Sequence, residues 1–385
     1  MKVSVLGYGT VGRGVCEMIE KSSFLQLESV LVRKGKLNVV SCAVDSIDLI
    51  CSDKETDVVV ECMGGIEPAF EYAVKCMQSG KSFVTANKAL VASKGLELRD
   101  VALKNGVSFL FSAACGGAIP VLHNVQIAKQ TDRILSCGGI INGTTNFILS
   151  SLEEGRFSSY KDALSEAQKL GYAEADPTAD VSGLDTLRKI ILLSAVAFDK
   201  LVSDGVLNEG IENIDLCPLQ FRSGDMSVKL IGKTGLNKDG SVYAYVEPVI
   251  FEKDSPFASV GSNFNEIFYN GKNCGLISLY GQGAGRYPTA SAVLRDLSEI
   301  ASSKDQAVSM LSFSCVSGCA DNTQEKHSYV YADNNGVRIM NEMSVQNMHS
   351  MAKENRKAGV NCFFASLDES AVDNLLKNEN LNEDK

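Results

Sequence analysis

A short apolar run, Lys2-Val3-Ser4-Val5-Leu6, passes directly into Gly7-Tyr8-Gly9-Thr10-Val11-Gly12 and then into an amphipathic segment reaching Lys21. This is G-x-G-x-x-G between a strand and a helix, and each glycine has a physical task there. Gly7 permits the tight turn, Gly9 lets a pyrophosphate approach the backbone, and Gly12 lets the helix pack closely on the sheet. The helix N-terminus, Thr10 and Val11 included, then faces the phosphates. A bare glycine turn is the competing reading. The position at the head of a βαβ pattern favours dinucleotide binding.

The next strand runs through Glu28-Ser29-Val30-Leu31-Val32 to the tip Arg33-Lys34-Gly35-Lys36. A site selective for NAD usually ends this strand with a carboxylate for the ribose 2′-hydroxyl. Here Arg33 and Lys34 would attract a 2′-phosphate instead, so NADP is favoured, with NAD as the alternative and a solvated basic turn as the bland reading. Alternation continues with a buried strand at 57–62 ending in Met63-Gly64-Gly65. A helix to about Ser79 follows, then a strand at 82–84 leading to Thr85-Ala86-Asn87-Lys88, a further helix, and a strand at 107–111. Short apolar strands separated by helices predict a doubly wound parallel sheet. Ligands of such sheets bind beyond the strand carboxyl ends, where Gly64, Gly65 and Lys88 fall.

Composition then excludes partners. The 385 residues suggest two or three domains at roughly 150 residues each, and 47 acidic against 37 basic residues give a net charge of −10. That balance argues against a nucleic-acid face, which needs clustered Lys and Arg. No apolar stretch reaches membrane-spanning length, and the amino end opens on a strand instead of a leader. Twelve cysteines lie scattered in apolar runs (Cys42, Cys62, Cys76, Cys137 and Cys362 among them), as buried thiols do, and Cys315 and Cys319 lack a second pair. His123, His327 and His349 stand far apart, so no metal ligands are expected from spacing. A reducing, cytoplasmic setting without membrane or nucleic acid is the expectation.

The middle of the chain carries the chemistry. Ile141-Asn142-Gly143-Thr144-Thr145-Asn146 is followed by Gly171-Tyr172-Ala173-Glu174-Ala175-Asp176-Pro177-Thr178-Ala179-Asp180 and by Val181-Ser182-Gly183-Leu184-Asp185-Thr186-Leu187-Arg188-Lys189. Asp185 and Lys189 share a helix face one turn apart. Such a pair is usually a surface salt bridge worth ~0.3–0.5 kcal/mol. This one runs into Ile190-Ile191-Leu192-Leu193, too apolar to face solvent all round. A partly buried lysine among carboxylates is a candidate for proton transfer.

These motifs together resemble the homoserine dehydrogenase family: GYGTVG at 7–12, ECMGG at 61–65, TANKAL at 85–90, GGAIP at 116–120, INGTTNFIL at 141–149, GYAEADPTADVSGLDTLRK at 171–189 and GQGAGRYPTASAV at 281–293. The match covers roughly 1–303, and the 171–189 segment is highly specific. The resemblance implies reversible reduction of L-aspartate 4-semialdehyde to L-homoserine with NAD(P)H, feeding threonine and methionine synthesis. It implies that Lys189 is the general acid and Lys88 a second lysine near nicotinamide and substrate. It implies that Glu174 and Asp185 hold the substrate ammonium, that Asp180, Tyr172, Gly143 and Thr144 line the pocket, and that Gly283 and Gly285 form a second turn towards the cofactor. It further implies a homodimer and, since the chain opens on the first strand, no fused aspartate kinase domain.

The domains then read as a Rossmann-type sheet over 1–130 completed by about 281–303, an α+β catalytic and dimerisation domain over 131–280, and a small α/β extension over 304–385. Where the family commonly has Glu-Ala-Ser-Val-Gly-Gly-Gly, this chain has Ser112-Ala113-Ala114-Cys115-Gly116-Gly117-Ala118. Serine lacks the glutamate charge, which argues against a monovalent cation such as sodium, although carbonyls and water still suit a hard ion. The tail reads as strands at 308–315 and 328–332, a helix at 344–358, a strand at 361–365 and a helix at 370–376. Tyr329 to Val337 faintly resembles the opening of an amino-acid-sensing ACT domain. A ligand-free extension is the preferred reading, since periodicity does not separate the two. Against an active dehydrogenase stand a silent binding relative on the same scaffold and a dehydrogenase of another amino acid. Retention of both lysines and the carboxylates favours activity.

Overall fold

A computed structural model describes residues 1–218, 221, 225–303 and 306–372. Residues 2–110 build a six-stranded parallel sheet from β1 (Lys2–Leu6), β2 (Gln26–Leu31), β3 (Ala43–Val44), β4 (Val58–Glu61), β5 (Ser82–Thr85) and β6 (Phe109–Leu110). Their spatial order is β3-β2-β1-β4-β5-β6. The order reverses between β1 and β4, and a crevice opens beyond the carboxyl ends there. The apolar runs explain the layer: β4 is buried throughout, as a strand covered on both faces must be. Helix Arg286–Ser302 returns to pack on helix Thr10–Glu20, where Gly14 leaves room for Arg286 and Ala290.

The second sheet is mixed. It runs β13 (Gly275–Gln282), β12 (Phe264–Gly271), β7 (Ile134–Ile140), β10 (Met226–Leu236), β11 (Val242–Glu252), β17 (Cys362–Leu367), β15 (Lys326–Asp333) and β16 (Gly336–Ser344), with β9 (Leu207–Asn208) alongside β11. Helix Leu184–Phe198 lies on β10 because Gly232 has no side chain; a Cβ there would meet Ile190 and Thr186 at 2.6 and 2.7 Å. That close approach buries nearly the whole helix, Asp185 and Lys189 included.

The tail departs from expectation in two places. Residues 308–315 form no strand. They make only an isolated parallel bridge at Ser309 beside β6, with Phe109 N–H bonded to Val308 O (2.9 Å) and Met310 N–H to Phe109 O (3.1 Å), while Met310 and Leu311 are buried and Phe313 is exposed. The strand comes later, at β14 (Val316–Cys319), paired in parallel with β8 (Lys200–Asp204). The exposed, charged strand β16 was not foreseen, and β17 joins β11 in parallel, so the tail extends the second sheet. The expected helix at 344–358 is Val345–Lys357. Of the one expected at 370–376, residues 370–372 are helical and 373–376 lie outside the described residues. No described helix is long and apolar enough to cross a membrane. Cys76, Cys137 and Cys362 are buried, Cys42 and Cys62 half-buried, and no disulfide forms among the described residues.

Candidate active site

At the end of β1, Gly7 adopts φ +96° and donates its N–H to Leu31 O at 3.0 Å. Gly9 caps helix Thr10–Glu20 without a side-chain bond, and no acidic residue stands in that first turn. The orphan N–H groups and the positive end of the helix dipole are therefore free for an anion. A Cβ on Gly9 would meet nothing within 4 Å, whereas one on Gly12 would strike Gly7 O at 2.1 Å. The two glycines thus serve different ends: room above the turn, and closeness beneath it. Exposed Arg33 and Lys34 stand beyond β2.

The loop after β4 is braced by Glu61, which is fully buried. Its Oε1 accepts the N–H groups of Met63 (2.6 Å) and Gly64 (3.1 Å), and its Oε2 accepts Thr85 Oγ1–H (2.5 Å). Asn87 continues the brace: its Nδ2 donates to Gly65 O at 2.5 Å, and its Oδ1 caps helix Lys88–Asn105 by accepting Leu90 N–H at 3.1 Å. Lys88 is thereby fixed as the first residue of a helix above β5.

Lys88 reaches Asp185. Its Nζ lies 2.5 Å from Asp185 Oδ1, while Lys189 Nζ lies 2.7 Å from Oδ2 of the same carboxylate. Lys189 also donates to Ile141 O at 2.6 Å. An ammonium has three donors, so one remains for a further acceptor. Burial alone would lift the Asp185 carboxyl, but the two ammonium charges hold it well below the usual carboxylate range. Burial works against the Lys189 ammonium as well, and Asp185 overrides it, so Lys189 is raised above its ordinary value and stays charged.

Asn142 supports this centre from below. It caps helix Gly143–Glu153, and its Nδ2 donates to Asp180 Oδ1 (2.7 Å) and Asp185 Oδ2 (2.9 Å). Thr144 Oγ1 donates to Tyr172 O (2.6 Å) and approaches Asp180 Oδ2 at 3.3 Å. Burial pushes the Asp180 carboxyl up.

Of the residues foreseen from sequence, Lys88, Asp180, Asp185, Lys189, Thr144 and the Tyr172 backbone converge. Gly143 is constrained by packing, since a Cβ there would meet Asn263 O at 2.7 Å. Glu174 is exposed, and its carboxylate makes no bond among the described residues. Gly283 packs on Asn265 and Gly117, and Gly285 begins helix Arg286–Ser302. Asn142, Glu61 and Asn87 were missed. The motif containing Asn142 was read only for its glycine and threonine, although an asparagine just before a helix signals a cap.

Comparison with known proteins follows this geometry. Residues 120–298 match a family model described as homoserine dehydrogenase, and residues 7–112 one described as homoserine dehydrogenase, NAD binding domain. The homoserine dehydrogenase of Corynebacterium glutamicum is 38% identical over 317 residues, covering 77% of this chain and 70% of that protein. The structure of a homoserine dehydrogenase from Thiobacillus denitrificans superposes with a TM-score of 0.83 at 27% identity, covering 96% of this chain and 98% of that one. A hyperthermophilic archaeal homoserine dehydrogenase in complex with NADPH gives 0.66 at 25% identity, over 78% and 97%.

Proposed function

The chain belongs to the homoserine dehydrogenase family, and on that premise we propose that it reduces L-aspartate 4-semialdehyde to L-homoserine, reversibly, with NADPH preferred to NADH. The observation that carries this reading is the Lys88–Asp185–Lys189 cluster, with Asp185 and Lys189 buried, in a chain that also holds a glycine turn suited to a pyrophosphate. The bound dinucleotide would supply hydride to the carbonyl carbon. Gly7, Gly9, Thr10, Val11 and Gly12 would hold its phosphates, with Gly64, Gly283 and Gly285 bordering it.

Lys189, kept charged by Asp185, gives its spare proton to the carbonyl oxygen, which would otherwise carry the new negative charge. Lys88, about one-third exposed at its side chain, faces the same carboxylate and adds positive potential there. Glu174 and Asp180 supply negative charge for the substrate ammonium, and Thr144 and the Tyr172 backbone fix the loop that carries them. In the reverse direction the same lysine returns as the acceptor of the hydroxyl proton.

Arg33 and Lys34 support the preference for NADPH through the 2′-phosphate. Arg33→Ala should weaken NADPH by about tenfold while sparing NADH; equal losses would reduce Arg33 to a loop support. Ser112 brings no carboxylate to its loop, and no step uses a monovalent cation. A homodimer is supported by β13, an edge strand whose outward residues include exposed Leu276 and Tyr280; sedimentation at two concentrations checks it. Cysteines without disulfides among the described residues suit a cytoplasmic, reducing compartment. NADPH oxidation with aspartate semialdehyde, compared with NADH, tests the whole reading: no turnover with either would overturn it.

A further inference from the structure

Helix Val121–Ala128 and helix Arg286–Ser302, far apart in sequence, meet at the edge of the first sheet. At the meeting point lie His123, Asp296 and Glu299, the last two one helical turn apart. One ligand atom from each lies within 4.8 Å of the other two. Asp296 is fully buried; its Oδ2 accepts Ser112 N–H at 2.8 Å, and its Oδ1 has no partner. His123 Nδ1 and Ser112 Oγ are also buried without partners. His123 Nε2 and Glu299 Oε2 approach to 2.9 Å, yet that oxygen is not aligned as a hydrogen-bond acceptor. Arg295, the neighbouring cation, turns one nitrogen to Ala118 O at 3.0 Å.

Buried polar atoms are paired in nearly all folded proteins, and a cluster of orphans signals a missing species. With the imidazole neutral, the two carboxylates carry about −2 when ionised, offset in part by Arg295 beside Asp296; burial pushes the Asp296 carboxyl up to about 7, a cost that a bound cation recovers. Ligand atoms about 2.1 Å from a shared ion and at right angles stand about 3 Å apart, close to the separation of the histidine nitrogen and glutamate oxygen. His123 and Glu299 are partly exposed, the Glu299 Oε2 ligand atom lies beneath the surface, and the buried Asp296 forms the floor.

We propose that His123, Asp296 and Glu299 bind one divalent transition cation of the zinc or manganese class, which staples the two helices together beneath the loop beginning at Ser112. The imidazole selects against sodium, magnesium and calcium, which prefer oxygen donors alone. Water completes the coordination. The ion lies outside the lysine cluster and takes no part in hydride transfer, so this inference stands apart from the activity proposed above.

The test uses full-length protein stripped with a chelator, then titrated with manganese chloride and followed by bound-metal analysis and thermal melting. Manganese is the cleaner probe, because twelve thiols compete for zinc. One equivalent should bind per chain and raise the melting temperature. His123→Ala and Glu299→Gln should weaken binding by about tenfold or more and abolish the thermal shift. Asp296→Asn should do the same if it folds; the two partly exposed positions decide the matter if it does not. Failure of the stripped protein to take up manganese or zinc, uptake unchanged in His123→Ala and Glu299→Gln, or an equal shift with sodium chloride would overturn the site.

Discussion

Asp185 holds two ammonium groups at once, and the chemistry of the centre depends on that single carboxylate. Lys189→Ala should lower turnover by orders of magnitude with little change in the KM for NADPH, since it removes a proton donor and no phosphate contact; near-normal turnover would exclude it. Asp185→Asn gives a sharper test. In the folded protein the Lys189 pKa is raised, so protonated lysine, and with it reduction, persists to pH above the ordinary lysine value. Without the carboxylate, burial is opposed only by lesser neighbours such as Asp180 and disfavours the charge. The high-pH decline of semialdehyde reduction should therefore move to lower pH, beyond any loss in kcat. A decline at unchanged pH would show that Asp185 does not set the lysine's charge. Glu174→Gln should raise the amino-acid KM several-fold at an unchanged melting temperature, because only the Glu174 backbone carbonyl is bonded, to Gln168, and its carboxylate makes no bond among the described residues; a fall in melting temperature would favour a structural role. Asp185 and Lys189 were legible from their spacing and apolar context. The support from Asn142 was not, because one amide bridging two carboxylates across 38 and 43 positions leaves no local pattern.

The glycine turn shows what elements transmit to function. Gly9→Ala adds a methyl to open space in a backbone conformation alanine accepts, so the protein should melt normally while the KM for NADPH rises about tenfold or more, since the methyl occupies the phosphate's position. Gly12→Ala drives a methyl into Gly7 O, so the helix must move and stability should fall along with cofactor affinity. Melting curves and steady-state kinetics separate the two; matching stability losses would refute the division of labour. The strand–turn–helix was readable because glycine chemistry and apolar periodicity are both local there. β16 was not, because its side chains are mostly exposed and carry charge, leaving no apolar alternation. Residues 308–315 misled for the opposite reason: an apolar run reads as a strand, although its backbone pairs with β6 at a single bridge.

Across the whole molecule, the tail is tied to the turn between Asp180 and Asp185. Arg356, on helix Val345–Lys357, forks onto Glu209 with bonds of 2.8 and 2.6 Å. Glu209 is buried, and its own N–H is bonded to Val246 O on β11 at 2.7 Å. The residues around it grip the turn before the catalytic helix: Ile211 N–H bonds Val181 O at 2.8 Å, and Asn208 Nδ2 donates to Ser182 O at 2.7 Å. Asp180 lies just before that turn and Asp185 just after it. The clamp therefore acts on the two carboxylates and leaves the glycine turn of the first sheet alone. Arg356→Ala should raise the KM for aspartate semialdehyde about fivefold to tenfold, or ~1 kcal/mol for a partly exposed pair, with the KM for NADPH unmoved. Arg356→Lys should recover only part of the loss, because an ammonium does not reproduce the planar fork. Glu209→Gln should match Arg356→Ala, and the double variant should be no worse than either, as for residues acting through one bond. A purely structural clamp would give a different pattern: a lower melting temperature with both KM values changed together, or neither changed. That outcome would remove Arg356 from any role in positioning the site.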